Sequence, residues 1–309
     1  MRISAKPFNE YWIFCIMNDW LSLLVEKNPT FLEYACMNSY SYHTRGDTCW
    51  WRDIEISWND DYLSILKQYV KYNKFETLKN DLLVNIVYRL KSDIPVYLSL
   101  DAYYAFPNRY DFQREHNIHD FLVIGYDESN DNLGFFTDTY AGYGEIYIPY
   151  KNVMDAIVSN NDKVSFREVI ISKIIPDYSL DKLEIKDNAK RLMIMCANLS
   201  FQNIWNVDRN RDFSKVSYEI YTITKIAERQ KANKALLRQM KKYRWISEEL
   251  EQDVANETDD IFNIWKKVKA IWIKMSYRYN EKYINNLNWL TKEAIVKEAY
   301  IWNKIYNSL

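Results

Sequence analysis

Residues 94–149 read IPVYLSLDAYYAFPNRYDFQREHNIHDFLVIGYDESNDNLGFFTDTYAGYGEIYIP, and this stretch decides the fold. Short apolar or alternating runs at 96–100, 121–126, 133–137 and 145–148 predict strands separated by turn residues. The polar run DESNDN at 127–132 predicts a hairpin turn. Two of the three histidines and four of the five glycines fall in this stretch. His119 stands just before one apolar strand and Asp138 closes the next. A carboxylate at that sheet end can fix an imidazole tautomer and stabilise the imidazolium, as in acyl-transfer triads. The same two residues also suit a surface histidine and a turn-capping aspartate.

Working outward, the preceding quarter reads mainly as helix. Residues 10–25 (EYWIFCIMNDWLSLLV) are strongly apolar, with Asn9 as N-cap and Pro29 beyond the end. Residues 59–72 and 79–91 repeat apolar side chains at three- and four-residue steps, and 40–51 reads as irregular. A helix at 150–158 and a strand at 166–175, stopped by Pro176, complete an α+β domain spanning residues 1–176. Residues 177–309 contain no glycine or proline and keep a helical pattern, with Trp265 and Trp272 seven residues apart on one face. They predict a second, all-helical domain or a helical extension packed on the first.

The composition is that of a globular chain with a large core: 309 residues, 48% hydrophobic and 16% aromatic. A formal net charge of −1 gives no general attraction to nucleic acid or anionic membranes. No apolar run is long enough to span a bilayer, and the first residues lack a signal-peptide pattern. Four cysteines (Cys15, Cys36, Cys49 and Cys196) form neither a disulfide framework nor a CxxC zinc pattern. A cytoplasmic protein without a metal is expected.

A nucleophile is needed to face His119. Cys15, placed about one turn inside the first helix, is the first candidate, although a cysteine in an apolar helix also suits an inert core position. Cys36 and Cys49 are alternatives, the latter beside Gly46, while Cys196 reads as core. Asn9 is the candidate oxyanion donor.

The run D-x-Y-Y-x-x-P, then H-x-x-H and F-L-V-I-G-Y-D, is Asp101, Tyr103, Tyr104, Pro107, His116, His119 and 121–127 here. It resembles the butirosin biosynthesis protein H N-terminal-like family over roughly residues 8–175. The resemblance implies a papain-like fold and a Cys-His-Asp mechanism with His119 and Asp138 as histidine and acid. It implies an acyltransferase of antibiotic or nonribosomal-peptide biosynthesis, moving an acyl group from a carrier-protein thioester to a small amine. The phosphopantetheine would belong to the carrier, and no other cofactor is expected. The family opens its first long helix with the cysteine. Here the reading leaves Tyr11 or Cys15 for that position. Asp101, Tyr103 and Tyr104 are expected to line the acyl or amine pocket, or simply to turn the chain at a strand end. The alternatives to acyl transfer are a cysteine peptidase or amidase using water, and a scaffold that has lost its nucleophile.

Residues 225–244 hold eight basic side chains and one acid, whereas 248–260 hold seven acids and no base. The two runs suit neighbouring helices that neutralise each other. Lys231, Lys234, Arg238, Lys241 and Lys242 are alternatively a docking face for an acyl or peptidyl carrier protein.

Overall fold

The computed structural model describes residues 1–44, 53–58, 60–139, 142–157, 162–205 and 216–309, and leaves aside the side chains of 60–63 and 216–218. In chain order it contains α1 (Cys15–Lys27), α2 (Phe31–Ala35), β1 (Tyr40–Thr44), β2 (Ile54–Trp58), α3 (Asp60–Lys67), β3 (Val70–Leu78) and α4 (Leu82–Lys91). There follow β4 (Val96–Asp101), α5 (Ala102–Ala105), β5 (Ile118–Asp127), β6 (Asn132–Thr139), β7 (Gly142–Pro149), α6 (Tyr150–Ala156) and β8 (Lys163–Ile171). The last elements are α7 (Lys182–Leu199), α8 (Val216–Lys242), α9 (Glu248–Tyr277) and α10 (Glu281–Ser308). The chain is α+β, with an antiparallel sheet and a helical C-terminal region.

Two compact units result, and their boundary differs from a single cut after residue 176. Met1–Pro29 and Ser64–Asp177 make the first unit, while Thr30–Leu63 joins Tyr178–Leu309 in the second. The physical reason lies in 40–58. Its first part, expected to be irregular over 40–51, carries β1, which pairs with β2 and whose Tyr40 and Tyr42 hydroxyls bond Glu298 of α10.

The first unit is a six-stranded sheet in the order β3-β8-β4-β5-β6-β7, antiparallel at every pairing. The strands expected at 96–100, 121–126, 133–137 and 145–148 are all present. The Asp127 carboxylate accepts from the Ser129 backbone N–H at 3.1 Å and closes the β5–β6 turn. Strand β3 was unexpected, because its residues are mostly exposed and show no core alternation. It is an edge strand, anchored by Phe75 stacked on Phe166 at 5.7 Å with the Arg89 guanidinium over both rings. Gly125 lets the Tyr147 hydroxyl and the N-terminal backbone approach β5, and Gly134 lets the Tyr147 ring approach β6. A Cβ would meet the Tyr147 hydroxyl at 2.9 Å from Gly125, and its ring at 2.7 Å from Gly134.

Side chains alternate across the sheet. Leu98 pairs with Phe121, and Phe121 packs with Phe106 on the face away from α1. Tyr97, Asp101, Asp138 and Tyr143 belong to the opposite face, where the Tyr97 and Tyr143 hydroxyls reach Asp19 of α1.

The second unit packs α7 to α10 around Trp205, Trp265, Trp272 and Trp302, all at most 1% exposed. The seven-residue step of Trp265 and Trp272 is therefore a core stripe. Side-chain caps start the helices: Asp181 for α7, Ser247 for α9 and Asn280 for α10. Arg244, at φ 59°, turns the chain between α8 and α9. Among the described residues no helix is long and apolar enough to cross a membrane.

Candidate active site

The expected start of the first helix is displaced, and this bears directly on the site. Helix α1 begins at Cys15 itself, not at residue 10. Asn18, fully buried, causes the displacement. Its Oδ1 accepts from Ile13 N at 2.9 Å, and its Nδ2 donates to the Phe8 and Tyr11 carbonyls at 3.0 Å. Ser22 Oγ accepts from Phe8 N at 2.8 Å. These bonds satisfy the backbone of residues 8–13 outside a helix, so apolar character alone misplaces the boundary. Tyr11 is buried against Phe8 in this non-helical segment, and Cys15 holds the helix-opening position. Asn9 is exposed, and Phe14 rather than Asn9 occupies the N-cap.

The Cys15 thiol donates to Asp138 Oδ1 at 2.9 Å. Asp138 also meets the guanidinium of Arg109, a residue that sequence patterning does not single out. Arg109 is 2% exposed and crosses the sheet end. It lies 5.2 Å over Phe121, bonds Thr137 Oγ1 at 3.2 Å, and forks onto Asp111 at 3.0 and 2.9 Å. Asp111 in turn accepts from Asn117 Nδ2 at 2.9 Å. The cue in the sequence is slight: Arg and Asp two residues apart, after Pro107, read as an ordinary solvated loop.

Burial works to raise the Asp138 carboxyl, but the Arg109 charge and the Cys15 hydrogen bond override it and hold it below the usual carboxylate value. Cys15 is partly accessible, yet the surrounding protein pushes its thiol well above the usual value. Asp138 adds to that push and Arg109 opposes it. The resting side chain is a thiol.

His119 lies beside this group without a hydrogen bond to it. Its place opposite Leu100 puts it on the Phe121 face, where its ring meets Phe121 edge-on at 5.2 Å. Its Nε2 is buried and has no hydrogen-bond partner among the described residues. Burial and the Arg109 charge lower its pKa against the pull of Asp138, so the ring is neutral at neutral pH. Cys15 and Asp138 are thus joined, and His119 is coupled to Asp138 by charge alone.

Asp101 caps α5 through the Tyr103 N–H and also accepts from Asn117 N, both at 3.1 Å. Its second oxygen lies 2.6 Å from His116 Nδ1. Tyr103 stacks on His116 at 4.4 Å and Tyr104 lies beside them. Asp19, one helical turn after Cys15, is a further residue that patterning misses. It is 2% exposed and accepts from Tyr97 at 2.8 Å and Tyr143 at 2.5 Å. Burial raises it to about 8 despite those bonds. A polar Asn18-Asp19 pair and Ser22 within an apolar helix is the signal that marks this buried stripe.

The other cysteines do not join the site. Cys36 and Cys196 are buried in the second unit, and Cys49 lies outside the described residues. A cavity of about 340 Å³ in the first unit, lined by Ile3, Leu23, Pro95 and Val169 among others, sits by the start of β4, at the other end of the sheet from Cys15. Among the described residues no three metal-ligating side chains cluster together.

In the second unit Lys231 pairs with Glu228, Lys234 with Asp259, Lys241 with Glu248 and Glu251, and Lys242 with Glu33. The basic run of α8 and the acidic run of α9 therefore neutralise each other in part, and each of these exposed pairs contributes little to stability. Compared with known proteins, the chain matches no family model and no curated protein.

Proposed function

We propose that the protein is a cytoplasmic, papain-like cysteine acyltransferase of specialised metabolism. In this reading Cys15 attacks a carrier-protein thioester, His119 is the base, and Asp138 is the acidic residue that orients the histidine. A small amine then resolves the acyl-enzyme. The carrier's phosphopantetheine arm brings the acyl group, and Arg238 with its lysine neighbours on α8 meets the carrier. Because a thioester is already activated, positioning and proton transfer are the main contributions required of the protein.

The observation that carries this reading is a cysteine at the first position of a helix, hydrogen-bonded to a carboxylate at a sheet end. A helix N-terminus favours the thiolate that attack requires, and Arg109 adds a positive charge beside it. Asp101, Tyr103 and Tyr104 stand at the same sheet end and supply the acceptor side. Asn9 remains the proposed oxyanion donor, six residues before Cys15.

The test is intact-mass analysis after mixing the protein with an acyl-carrier thioester. An acyl adduct mapped to Cys15, and absent from Cys15→Ser, is the expected result. Equal adduct in the variant would remove Cys15 from the mechanism. An acyl-amine product indicates transfer, whereas free acid alone would favour the peptidase or amidase reading.

A second reading has its own support. The raised Cys15 thiol and the missing hydrogen bond to His119 favour a scaffold without catalysis. No adduct with any acyl thioester would select it.

A further inference from the structure

Strand β3 forms one edge of the six-stranded sheet in the first unit. It runs nine residues in unbroken register with β8 on its inner side. Among the described residues no strand pairs with its outer side. Edge strands are ordinarily short, bulged or interrupted by proline, because their free N–H and C=O groups attract other strands. This edge is long, regular and free of proline.

The bonds at its two ends fix which main-chain groups face outward. Ser172 N donates to Tyr69 O at 2.9 Å and Lys79 N to Asp162 O at 2.8 Å, so the odd-numbered residues of β3 bond β8. Val169, opposite Tyr72, sends its N–H the other way, to Pro95 O at 2.9 Å. Val70, Tyr72, Lys74, Glu76 and Leu78 therefore turn their N–H and C=O groups to the open side. Side chains alternate along the same strand. Tyr72 lies beside Trp20 and Tyr97 on the α1 face, which Lys74, Glu76 and Leu78 share by alternation. Phe75 belongs to the opposite face, stacked on Phe166 beneath Arg89 of α4.

We infer that this edge pairs with β3 of a second copy of the chain, antiparallel about a two-fold axis at Phe75. Outward groups meet only if even-numbered residues oppose even-numbered ones. Centring the pair on Phe75 sets Lys74 against the partner's Glu76 and Tyr72 against the partner's Leu78, each twice by symmetry. These pairs exchange both main-chain hydrogen bonds. Lys74 and Glu76 are exposed and of opposite charge. Sliding the strands by two residues either way sets Lys74 or Glu76 against its own copy, so charge selects the register. Phe75 then faces the partner's Phe75 at a non-hydrogen-bonded position, where side chains approach most closely, and the stack with Phe166 continues across the axis. Leu78 is 51% exposed and Tyr72 38%, and the pairing covers both. A foreign strand without a carboxylate at the matching place meets an unpaired lysine, which makes the edge selective for its own copy. The inference is independent of the chemistry at Cys15.

The test is sedimentation velocity of the full chain over a concentration series, with far-UV circular dichroism to check the fold of each variant. The wild-type chain is expected to be a dimer that dissociates on dilution. Lys74→Glu and Glu76→Lys should each weaken it about 10-fold, because both symmetric pairs change from attraction to repulsion. The double variant Lys74→Glu/Glu76→Lys restores both pairs with their signs exchanged and should return the affinity close to wild type. A wild-type chain that stays monomeric up to about 100 μM would overturn the inference. A dimer that neither single variant weakens would also overturn it, since the copies would then meet elsewhere. A folded double variant as weak as the singles would overturn the pairing of Lys74 with Glu76, and with it the register about Phe75.

Discussion

Two buried carboxylates, Asp138 in the first unit and Glu298 in the second, are satisfied in opposite ways. Asp138 meets a guanidinium and a thiol, and its carboxyl is held down as a charge. Glu298, 0% exposed, meets Tyr40 at 2.5 Å, Tyr42 at 2.8 Å, Gln230 at 3.1 Å and Trp302 at 3.4 Å. Burial raises its carboxyl despite those four donors. A charged partner keeps an acid ionised and able to act on a neighbour. Neutral donors hold an acid in place and let it take up a proton. The first arrangement borders the cysteine, and the second ties the β1–β2 hairpin to α10.

The largest expected effect breaks the charged cluster. Arg109→Leu leaves Asp111 and Asp138 buried without their cation and should cost about 3–5 kcal/mol, read from urea unfolding at pH 7. The wild-type sign is that of a depressed acid. The Asp138 contribution is present above the ordinary carboxylate pKa and is lost as pH falls through its lowered value. A cost under about 1 kcal/mol would mean that Arg109 does not hold the cluster, and the contrast with Glu298 would fail.

Much of this contrast is hidden from the sequence, for identifiable reasons. The central strands β4 to β7 are legible because their apolar runs are bounded by turn residues and buried in the sheet. Strand β3 is not, because an exposed edge strand lacks the alternation that reports burial. The start of α1 is set by Asn18 and Ser22 holding a backbone five to fourteen residues away. Local propensity does not encode that reach. His119, Asp138 and Cys15 stand out by residue type and position. Arg109 and Asp111 do not, since only the folded sheet brings them to this site, and Asp19, one turn along the same helix as Cys15, does not, since only the fold buries it under Tyr97 and Tyr143. The β1–β2 hairpin is similarly opaque, because Tyr40 and Tyr42 find their partner more than 250 residues later.

Asp19 tests whether neutral donors act alike in both units, since it too is capped by two tyrosines. Its carboxyl titrates at about 8 against an ordinary 3.8, so the folded state keeps a proton that the unfolded chain has lost. The stabilisation is complete below the ordinary value and declines as pH rises to about 8, by up to about 1.4 kcal/mol per pH unit. Asp19→Asn should remove that decline when unfolding is compared at pH 5, 6 and 7. Parallel pH dependences in variant and wild type would show that Asp19 is already ionised. It would then resemble Asp138 rather than Glu298.

The smallest expected effect sharpens the comparison most. Glu298→Gln replaces one carboxyl oxygen by an amide nitrogen and leaves the shape unchanged. The cost should stay below about 1 kcal/mol, close to one ordinary hydrogen bond, because the four side chains that bond the carboxyl are uncharged and burial already works against its ionised form. The tyrosine hydroxyls donate or accept by rotation, so they adapt to the amide. Arg229 is the group that decides the outcome. It is 2% exposed and lies 5.0 Å over the Tyr40 ring, bonding the Cys36 carbonyl at 2.6 Å and Asn233 at 3.1 Å. If Glu298 were ionised and balanced by Arg229 through Tyr40, the Gln variant would lose about 3 kcal/mol or more in urea unfolding. A loss of that size would make the two clusters one kind of device, with tyrosine merely placed between acid and cation. A loss below about 1 kcal/mol keeps them distinct, and leaves the charged carboxylate as the mark of the unit that carries Cys15.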